Sequence, residues 1–250
     1  MILQSLDFLH LYETKHCTLQ LGGQDQWGNI TSGLELIRKK HGVDVECYGL
    51  TMPLITKADG TKFGKTESGT VWLDPKKTSP YEMYQFLVNA EDAKVIEYLK
   101  RLTFLDKEEI ERLEECVKNE PHLREAQKVL GREVVTFLHG SDAYETALKI
   151  TNALFRGNIR ELSADEQRDA LSSMEKVQVS EAMDLASTLV SAKIASSKRE
   201  AREWIKSGSI QINGEKVQDE TRVIDASSAL VDDMILIKRG KRNYYVLTFA

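Results

Sequence analysis

The spacing of apolar residues changes twice along the chain, near Asp74-Pro75 and near Met183. Before the first change, short apolar stretches alternate with glycine turns and helical patterns, and between the two changes almost every segment has helical periodicity. After the second change, stretches with strand periodicity return. The 250 residues also exceed the ~100–200 of a usual domain. The sequence therefore predicts more than one compact unit.

The first part of the chain predicts half of an α/β sheet. A helical pattern covers Met1–Tyr12, and a short strand over Thr18–Leu21 leads into Gly22-Gly23. A helix is predicted over Asn29–Lys40 and a second strand over Val45–Leu50. Strands that alternate with helices in this way are typical of a parallel sheet with helices packed on it.

The middle part predicts a helical domain, in which Asp106 and Glu109 are spaced like an N-cap and its acidic third residue. Six segments with helical spacing are separated by short breaks. They are Ser79–Asn89, Asp92–Leu102, Lys107–Val117, His122–Leu138, Ala143–Phe155 and Ala164–Ser172.

The last part predicts a small α+β unit. Ser197 and Glu200 have the spacing of a capping box, and Asn213-Gly214 is a strong signal for a two-residue hairpin. The predicted elements are the helices Met183–Ser191 and Ser197–Ser207 and the strands Ile210–Ile212, Glu215–Val217, Ile235–Lys238 and Tyr244–Phe249.

Composition indicates a soluble, cytoplasmic protein with no membrane segment. The chain is 41% hydrophobic and 29% charged, it has no apolar run near the ~18 residues of a membrane span, and Met1 opens no signal peptide. Cys17, Cys47 and Cys116 are odd in number and far apart, which argues against disulfides and a zinc site. We expect three buried thiols and no protein-bound metal.

Charge is unevenly distributed. The net charge is −5, but residues 183–250 hold 11 Lys/Arg against 9 Asp/Glu, a pattern of local polyanion contact. On the helix Ser197–Ser207, Ala201, Trp204 and Ile205 can cover a core while cations lie on the other side. A solvated amphipathic helix has the same pattern. The candidate phosphate-binding cations are Lys193, Lys198, Arg199, Arg202 and Lys206, extended by Arg239, Lys241 and Arg242.

Two lysines three residues apart, Lys62 and Lys65, lie on a loop between Gly60 and Gly69. Such a loop can fold over a polyphosphate and meet the charge that grows on a leaving pyrophosphate, although a solvated charged turn has the same spacing. The segment also resembles the P-loop string G-x-x-x-x-G-K-[ST]. It is one residue short, and a β-like stretch follows instead of a helix, so we reject the P-loop.

Two strings then carry a family resemblance. Gly22–Asn29, read as G-G-Q-D-Q-W-G-N, and Lys62–Thr66, read as K-F-G-K-T, resemble the bacterial-type tyrosyl-tRNA synthetases, which belong to class I. The second string is similar to the K-M-S-K-S loop of that class. The resemblance covers the whole chain and implies an α/β fold, a partial Rossmann-like catalytic domain, followed by an α-helical domain and a small α+β S4-like domain.

The resemblance also implies domain boundaries. It places the C-terminal half of the catalytic domain at 1–75, a helical anticodon-binding domain at 76–160, a linker at 161–182 and the S4-like RNA-binding domain at 183–250. The partners that it implies are tRNA(Tyr), L-tyrosine and ATP, with Mg²⁺ accompanying the ATP, and a homodimer in the intact family.

Residue roles follow from the same resemblance. Gln4 is expected to contact the ammonium group of tyrosine and Asp7 its phenolic hydroxyl; residues i and i+3 share one helix face. Phenylalanine would leave such an acceptor unpaired. We expect Trp27 to pack. The remaining implied roles are Gln26 for tyrosine, Asp25 for ATP, Lys62, Lys65 and Thr66 for catalysis on the loop, with both lysines contacting ATP, and Lys198, Arg199, Arg202 and Lys206 for RNA.

The implied function is a tyrosine–tRNA ligase, which joins tyrosine to AMP and then to tRNA. Class I synthetases also carry an H-x-G-H string, and none of the five histidines has that context. We therefore expect a chain without its first catalytic half, through biological loss or a shortened sequence, and inactive alone. A non-catalytic RNA-binding remnant is the alternative. A tryptophanyl enzyme is a closer competitor, but Asp7 and the S4-like end favour tyrosine.

Overall fold

The computed structural model describes residues 1–66, 69–172, 174–179, 182–240 and 243–249, and of Lys65, Thr66, Ala226 and Phe249 only the backbone. The chain forms two compact units, Met1–Gly69 and Thr70–Ala250. None of the described helices is long and apolar enough to cross a membrane.

The first unit is a β–α–β arrangement with an additional helix, as the sequence predicted. Strands β1 and β2 are parallel, with Leu19 opposite Tyr48 and Gly23 opposite Met52. Strands β3 and β4 are two residues each and pair with each other. The elements are α1 (Ile2–Lys15), β1 (Leu19–Gly23), α2 (Trp27–His41), β2 (Tyr48–Met52), β3 (Lys65–Thr66) and β4 (Gly69–Thr70).

The core of this unit lies between α1, α2 and one face of the sheet. Phe8 of α1 packs with Ile30 and Ile37 of α2, and all three are buried. Gly49 in the middle of β2 lets the sheet approach α2 closely, because a Cβ atom there would overlap Ile30 Cγ2. The backbone of β2 at Gly49 therefore lies directly against Ile30 of α2.

The other face of the same sheet carries apolar side chains that the described residues leave uncovered. Parallel sheets are normally covered by helices on both faces. Side chains on this face belong to alternate positions of the two strands and are each 46–57% exposed. They are Leu19, Leu21, Tyr48, Leu50 and Met52.

The second unit begins with a layer of six helices, at the positions that helical periodicity predicted. Asp106 caps the third of them by accepting a hydrogen bond from the Glu109 backbone N–H at 2.8 Å. Arg124, in the left-handed conformation, donates to the carbonyl oxygens of Val88 and Ala90 and so ties two loops together. The helices are α3 (Pro80–Val88), α4 (Asp92–Leu102), α5 (Lys107–Asn119), α6 (Glu125–His139), α7 (Ser141–Arg156) and α8 (Ala164–Ser172).

The rest of the second unit is a five-stranded sheet with two helices on one face. The strand order is β5-β11-β10-β7-β8, and a separate pair joins β6 to β9. The elements are β5 (Glu175–Val179), β6 (Met183–Asp184), α9 (Leu185–Ser191), α10 (Lys198–Lys206), β7 (Ile210–Ile212), β8 (Glu215–Lys216), β9 (Val223–Ile224), β10 (Met234–Arg239) and β11 (Asn243–Phe249).

Both faces of this sheet are buried. Ile235 and Ile237 of β10 lie in the core shared with α9 and α10. Leu236, which points the other way, is also buried, as is its cross-strand neighbour Val246. On the α3 side, Tyr81 neighbours Tyr244 of β11. Burial, together with Tyr244 and Glu82, raises the pKa of Tyr81.

Several details differ from the predictions. The segment 161–182, expected to be a linker, contains α8 and β5, and β5 pairs in parallel with β11. The capping box at Ser197 is only half formed: Ser197 Oγ accepts from the Glu200 N–H, but the Glu200 carboxylate accepts from Ser196 instead. Of the three cysteines only Cys47 is buried, since Cys17 and Cys116 are partly exposed.

Candidate functional site

The first element of the candidate site is the turn at the carboxyl end of β1. A one-turn 3₁₀ helix over Gln24–Gln26 follows the strand. A Cβ atom on Gly23 would lie 2.7 Å from Asp25 Oδ1 and 2.8 Å from Leu54 Cδ2, so both side chains lie close against this glycine. The turn therefore holds the Asp25 carboxylate close to the strand end, where parallel sheets place their ligands.

The second element is the lysine loop. Backbone hydrogen bonds from Lys57 N–H to Thr61 O and from Phe63 N–H to Ile55 O shape its first half. Hydrogen bonds from the Thr61 hydroxyl and backbone N–H also lower the pKa of Asp59 at its tip. These hydrogen bonds hold the loop as a turn as far as Phe63.

The structure brings the turn and the loop together. Lys62 Nζ lies 3.4 Å from Asp25 Oδ2, and both side chains remain accessible. The side chains of Lys65 and Thr66, also expected to act here, lie outside the described residues. An ammonium group and a carboxylate at the end of a parallel strand can together contact the phosphate and hydroxyl groups of a nucleotide.

The residues expected to bind tyrosine are only partly assembled. Gln26 is half-buried, and its Oε1 accepts a hydrogen bond from Asn29 Nδ2 at 2.9 Å. Gln4 is half-buried on α1, whereas Asp7 is exposed. Among the described residues, no hydrogen bond or ion pair joins either of these α1 side chains to the turn or the loop. The expectation that Trp27 packs is wrong, since it is 55% exposed.

The cationic surface of α10 forms the second candidate site. Ala201 and Ile205 are buried and Trp204 packs beside them, as predicted. Two of its four cations are held by carboxylates in the free chain. Arg199 Nε lies 3.4 Å from Glu203, and Arg202 Nε lies 3.4 Å from Glu220. The four exposed cations are Lys198, Arg199, Arg202 and Lys206.

The structure assigns Arg239 a role that the sequence did not reveal. Its guanidinium lies over the rings of Trp204 at 4.6 Å and Tyr245 at 5.9 Å. It also donates to the Ile194 carbonyl oxygen at 2.9 Å. Arg239 therefore braces α10 against the sheet, in contrast to the expected phosphate contact. Lys193 is exposed, and Lys241 and Arg242 lie outside the described residues.

Two family models match the chain. Residues 1–156 match the model described as tRNA synthetases class I (W and Y). Residues 166–247 match the tyrosine–tRNA ligase SYY-like C-terminal domain. The second match begins within α8, so most of that helix and all of β5 lie in the C-terminal family domain.

Full-length relatives agree with the models. A tyrosine–tRNA ligase of Bacillus pumilus is 52% identical over 251 residues, which cover 99% of this chain and 59% of that protein. One of Staphylococcus carnosus is 51% identical and covers 100% of this chain and 59% of its own length. The chain therefore spans about three fifths of the length of these curated relatives.

Solved structures agree as well. A C-terminally truncated mitochondrial tyrosyl-tRNA synthetase of Coccidioides posadasii is 37% identical with a TM-score of 0.51, over 59% of this chain and 42% of that one. Its counterpart from Aspergillus nidulans is 31% identical with a TM-score of 0.50, over 61% and 45%. With a class I synthetase model matching most of its length and a tyrosine–tRNA ligase domain at its C-terminal end, the chain belongs to the tyrosyl-tRNA synthetase family.

Proposed function

We propose that the chain is the part of a tyrosine–tRNA ligase that carries the lysine loop and the tRNA-binding surfaces. The reaction joins tyrosine to AMP, with loss of pyrophosphate from ATP, and then transfers the tyrosyl group to tRNA(Tyr). The observation that supports this most directly is the contact between Lys62 and Asp25 at the strand end, in a chain of this family.

The two residues have complementary chemistry toward ATP. Asp25 accepts hydrogen bonds from ribose hydroxyl groups, and Lys62, with Lys65, meets the charge that develops on the leaving pyrophosphate. Thr66 is proposed to act on the same loop. Cations on a loop that shifts during the reaction can favour the transition state over the ground state, which is what raises the rate.

Tyrosine is proposed to lie near Gln4, Asp7 and Gln26. The Oε1 of Gln26 is engaged by Asn29, so its Nε2 is available to donate to the substrate. Mg²⁺ is proposed to accompany the phosphates of ATP. Among the described residues no group of three or more His, Cys, Asp or Glu side chains is placed to hold a metal ion. Its ligands would therefore come mainly from phosphate and water.

The proposal includes RNA binding by the exposed cations of α10, because cations that neutralise phosphates give salt-dependent affinity. It also includes the domain boundaries set out above, a homodimer and a cytoplasmic location, all of which the family resemblance implies. A second candidate is a non-catalytic RNA-binding remnant.

One experiment separates these functions. The purified chain and the longest open reading frame that contains it are each assayed for tyrosine-dependent ATP–pyrophosphate exchange, with tryptophan as the matched control amino acid, and for binding of tRNA(Tyr). We expect tRNA binding by both proteins and exchange, with tyrosine only, by the longer one. Exchange with tryptophan would overturn the amino-acid assignment. Absence of exchange in both, with tRNA binding retained, would support the remnant instead.

A further inference from the structure

The loop that connects β8 to β9, residues 217–222, lies beside the cationic helix α10. At its start the Val217 N–H donates to the Ile210 carbonyl oxygen of β7 at 3.1 Å. The Gln218 side chain donates from Nε2 to the Lys206 carbonyl oxygen at the end of α10, at 3.5 Å. The first half of the loop is therefore tied both to the sheet and to the helix.

The second half of the loop is held as well. Asp219 Oδ1 accepts from the hydroxyl and the backbone N–H of Thr221 at 2.6 and 2.8 Å, and these hydrogen bonds lower the pKa of Asp219. The Arg222 carbonyl oxygen accepts from the Leu185 N–H of α9 at 2.9 Å. Glu220 is therefore carried by a backbone that is anchored on both sides of it.

Glu220 places one carboxylate oxygen against Arg202 of α10. Its Oε2 lies 3.4 Å from Arg202 Nε, and this oxygen is buried although it accepts no hydrogen bond from a described residue. A buried negative charge is costly unless a cation lies beside it. Arg202 therefore stabilises the carboxylate, and the carboxylate in turn limits where the guanidinium can lie.

A second arginine of α10 has a carboxylate at the same distance but in a different setting. Arg199 Nε lies 3.4 Å from Glu203 Oε1, and the two side chains are 90% and 68% exposed, against 54% and 36% for Arg202 and Glu220. A pair as exposed as the first is screened by water and salt and orders its side chains little. Only the pair with Glu220 combines partial burial with an anchored loop.

This setting leaves part of Arg202 available to a phosphate. With Nε facing Glu220, the terminal nitrogens Nη1 and Nη2 still carry four of the five donors of a guanidinium. A phosphate arrives from solvent, to which the buried Oε2 of Glu220 is not accessible. A long side chain that is already held in place also loses less freedom when it binds.

We propose that Glu220 is a positioning residue of the RNA-binding surface, which holds Arg202 so that Nη1 and Nη2 face a phosphate. The proposal rests on the proposed binding of RNA by α10. It predicts that loss of the Glu220 charge weakens RNA binding, although loss of a negative charge ordinarily strengthens binding to a polyanion. The sign of the change therefore separates positioning from simple repulsion.

The test compares Glu220→Gln with Glu203→Gln in the full chain. Each substitution removes one negative charge from a side chain beside an arginine of α10 and keeps its length. Affinity for labelled tRNA(Tyr) is measured by fluorescence anisotropy. We expect Glu220→Gln to lower the affinity ~2–10-fold, because Arg202 must then be ordered on binding, and Glu203→Gln to raise it. A rise in both variants would show that Glu220 only repels RNA and would overturn the proposal.

A double-mutant cycle shows whether Glu220 acts through Arg202. Arg202→Gln should lower the affinity and reduce the slope of log K against log salt by roughly 1, as for the loss of one phosphate contact. In that background Glu220→Gln should have no further effect. An equal fall in both backgrounds would assign the effect to damage of the loop, and an unchanged slope in Arg202→Gln would show that Arg202 contacts no phosphate; either result would contradict the proposal.

The failure of this proposal and that of the proposed function can be told apart. Absence of tRNA binding by the unchanged chain would overturn both, whereas binding without coupling between Glu220 and Arg202 would overturn the positioning role alone. If Glu220→Gln does not fold, Arg202→Lys keeps the charge but removes the planar guanidinium. We expect that variant to bind ~2–10-fold more weakly with the salt slope retained, and an unchanged affinity would contradict the proposal.

Discussion

Lys62 Nζ and Asp25 Oδ2 lie 3.4 Å apart, so an ion pair joins the lysine loop to the turn after β1. Both residues were expected to contact ATP, from segments far apart in the sequence. If both contact ATP as proposed, each exchanges this partner for a group of the nucleotide.

Replacing Asp25 by Asn should loosen the loop. An accessible ion pair contributes little, so we expect trypsin cleavage after Lys62 to become ~2–5-fold faster. Asp44→Asn is the control, because Asp44 is exposed in the same unit and has no ion pair with a described residue. The cleavage rate is read by mass spectrometry of the peptides. Equal rates in the two variants would show that the ion pair does not hold the loop.

Adding a side chain at Gly49 should lower the stability of the fold. In Gly49→Ala the new Cβ meets Ile30 Cγ2 of α2, and overpacking of this kind costs about 1–3 kcal/mol in the free energy of unfolding. Gly28 in α2 is the matched control, since nothing lies within 4 Å of a Cβ there. Gly28→Ala should stabilise by roughly 0.5–1 kcal/mol. Urea unfolding of both variants measures the difference, and equal stabilities would contradict the close approach.

The N-cap of α9 should make stability depend on acid pH. Hydrogen bonds from the Ser187 hydroxyl and backbone N–H lower the pKa of Asp184. A lowered pKa stabilises the fold above the unfolded value of ~4, and this contribution is lost as the pH falls through the folded pKa. Asp184→Ala should cost about 1 kcal/mol at neutral pH.

The Asp184→Asn variant separates capping from charge. Asparagine is an N-cap of similar strength, so stability at neutral pH should stay within a few tenths of a kcal/mol of the unchanged chain. Because the amide does not titrate, this variant should lose less stability on acidification. Urea unfolding at several pH values tests this, and an equally steep acid loss in both proteins would rule out the contribution of Asp184.

Asn213 should be essential to the β7–β8 turn. It is 2% exposed, has a φ of +50°, and pairs the buried Leu236 N–H. Asn213→Ala should cost roughly 2–4 kcal/mol, because it leaves buried groups unpaired and strains the backbone. Asn213→Gly should cost less, since glycine removes only the hydrogen bonds. Denaturant titration measures the free energy of unfolding, with the exposed Asn243→Ala as control. Equal stability of all three variants would contradict this prediction.

On α10, two substitutions should change RNA affinity in opposite directions. Glu203 holds Arg199, so Glu203→Gln releases a cation and should raise tRNA affinity ~2–5-fold. Lys206→Ala should lower the affinity and reduce the salt slope by roughly 1. Fluorescence anisotropy with labelled tRNA measures both. Shifts in the same direction would show that this face of α10 is not the binding surface.

The local spacing of apolar, capping and turn residues predicted much of the fold. Helical periodicity and the Asp106 cap gave the start of α5, and Asn213-Gly214 gave the hairpin of β7 and β8, because both signals act between residues close in sequence. Of the candidate site, the motifs gave Asp25 and Lys62, which the structure brings into contact. The cap and hairpin signals need no knowledge of the distant parts of the chain, whereas the roles of Asp25 and Lys62 came from the family resemblance.

Features that depend on distant partners escaped prediction. Val177 and Val179 alternate as in a strand, yet β5 exists only because β11, far along the chain, offers it a parallel edge. Arg239 is a cation in a segment expected to bind phosphate, but its guanidinium lies over the rings of Trp204 and Tyr245. In each case a residue distant in sequence determined the observed contact, and local periodicity carries no information about such residues.

The run Met-Ile-Leu-Ile in β10 has a consequence for protein engineering. A strand that is apolar on both faces cannot be transplanted with α9 and α10 alone, because the Leu236 face would enter solvent. A chimera that borrows this C-terminal part must also borrow the residues that cover Leu236 and Val246, or replace the side chains on that face by polar ones. A crossover that leaves those covering residues behind would expose an apolar strand face to solvent.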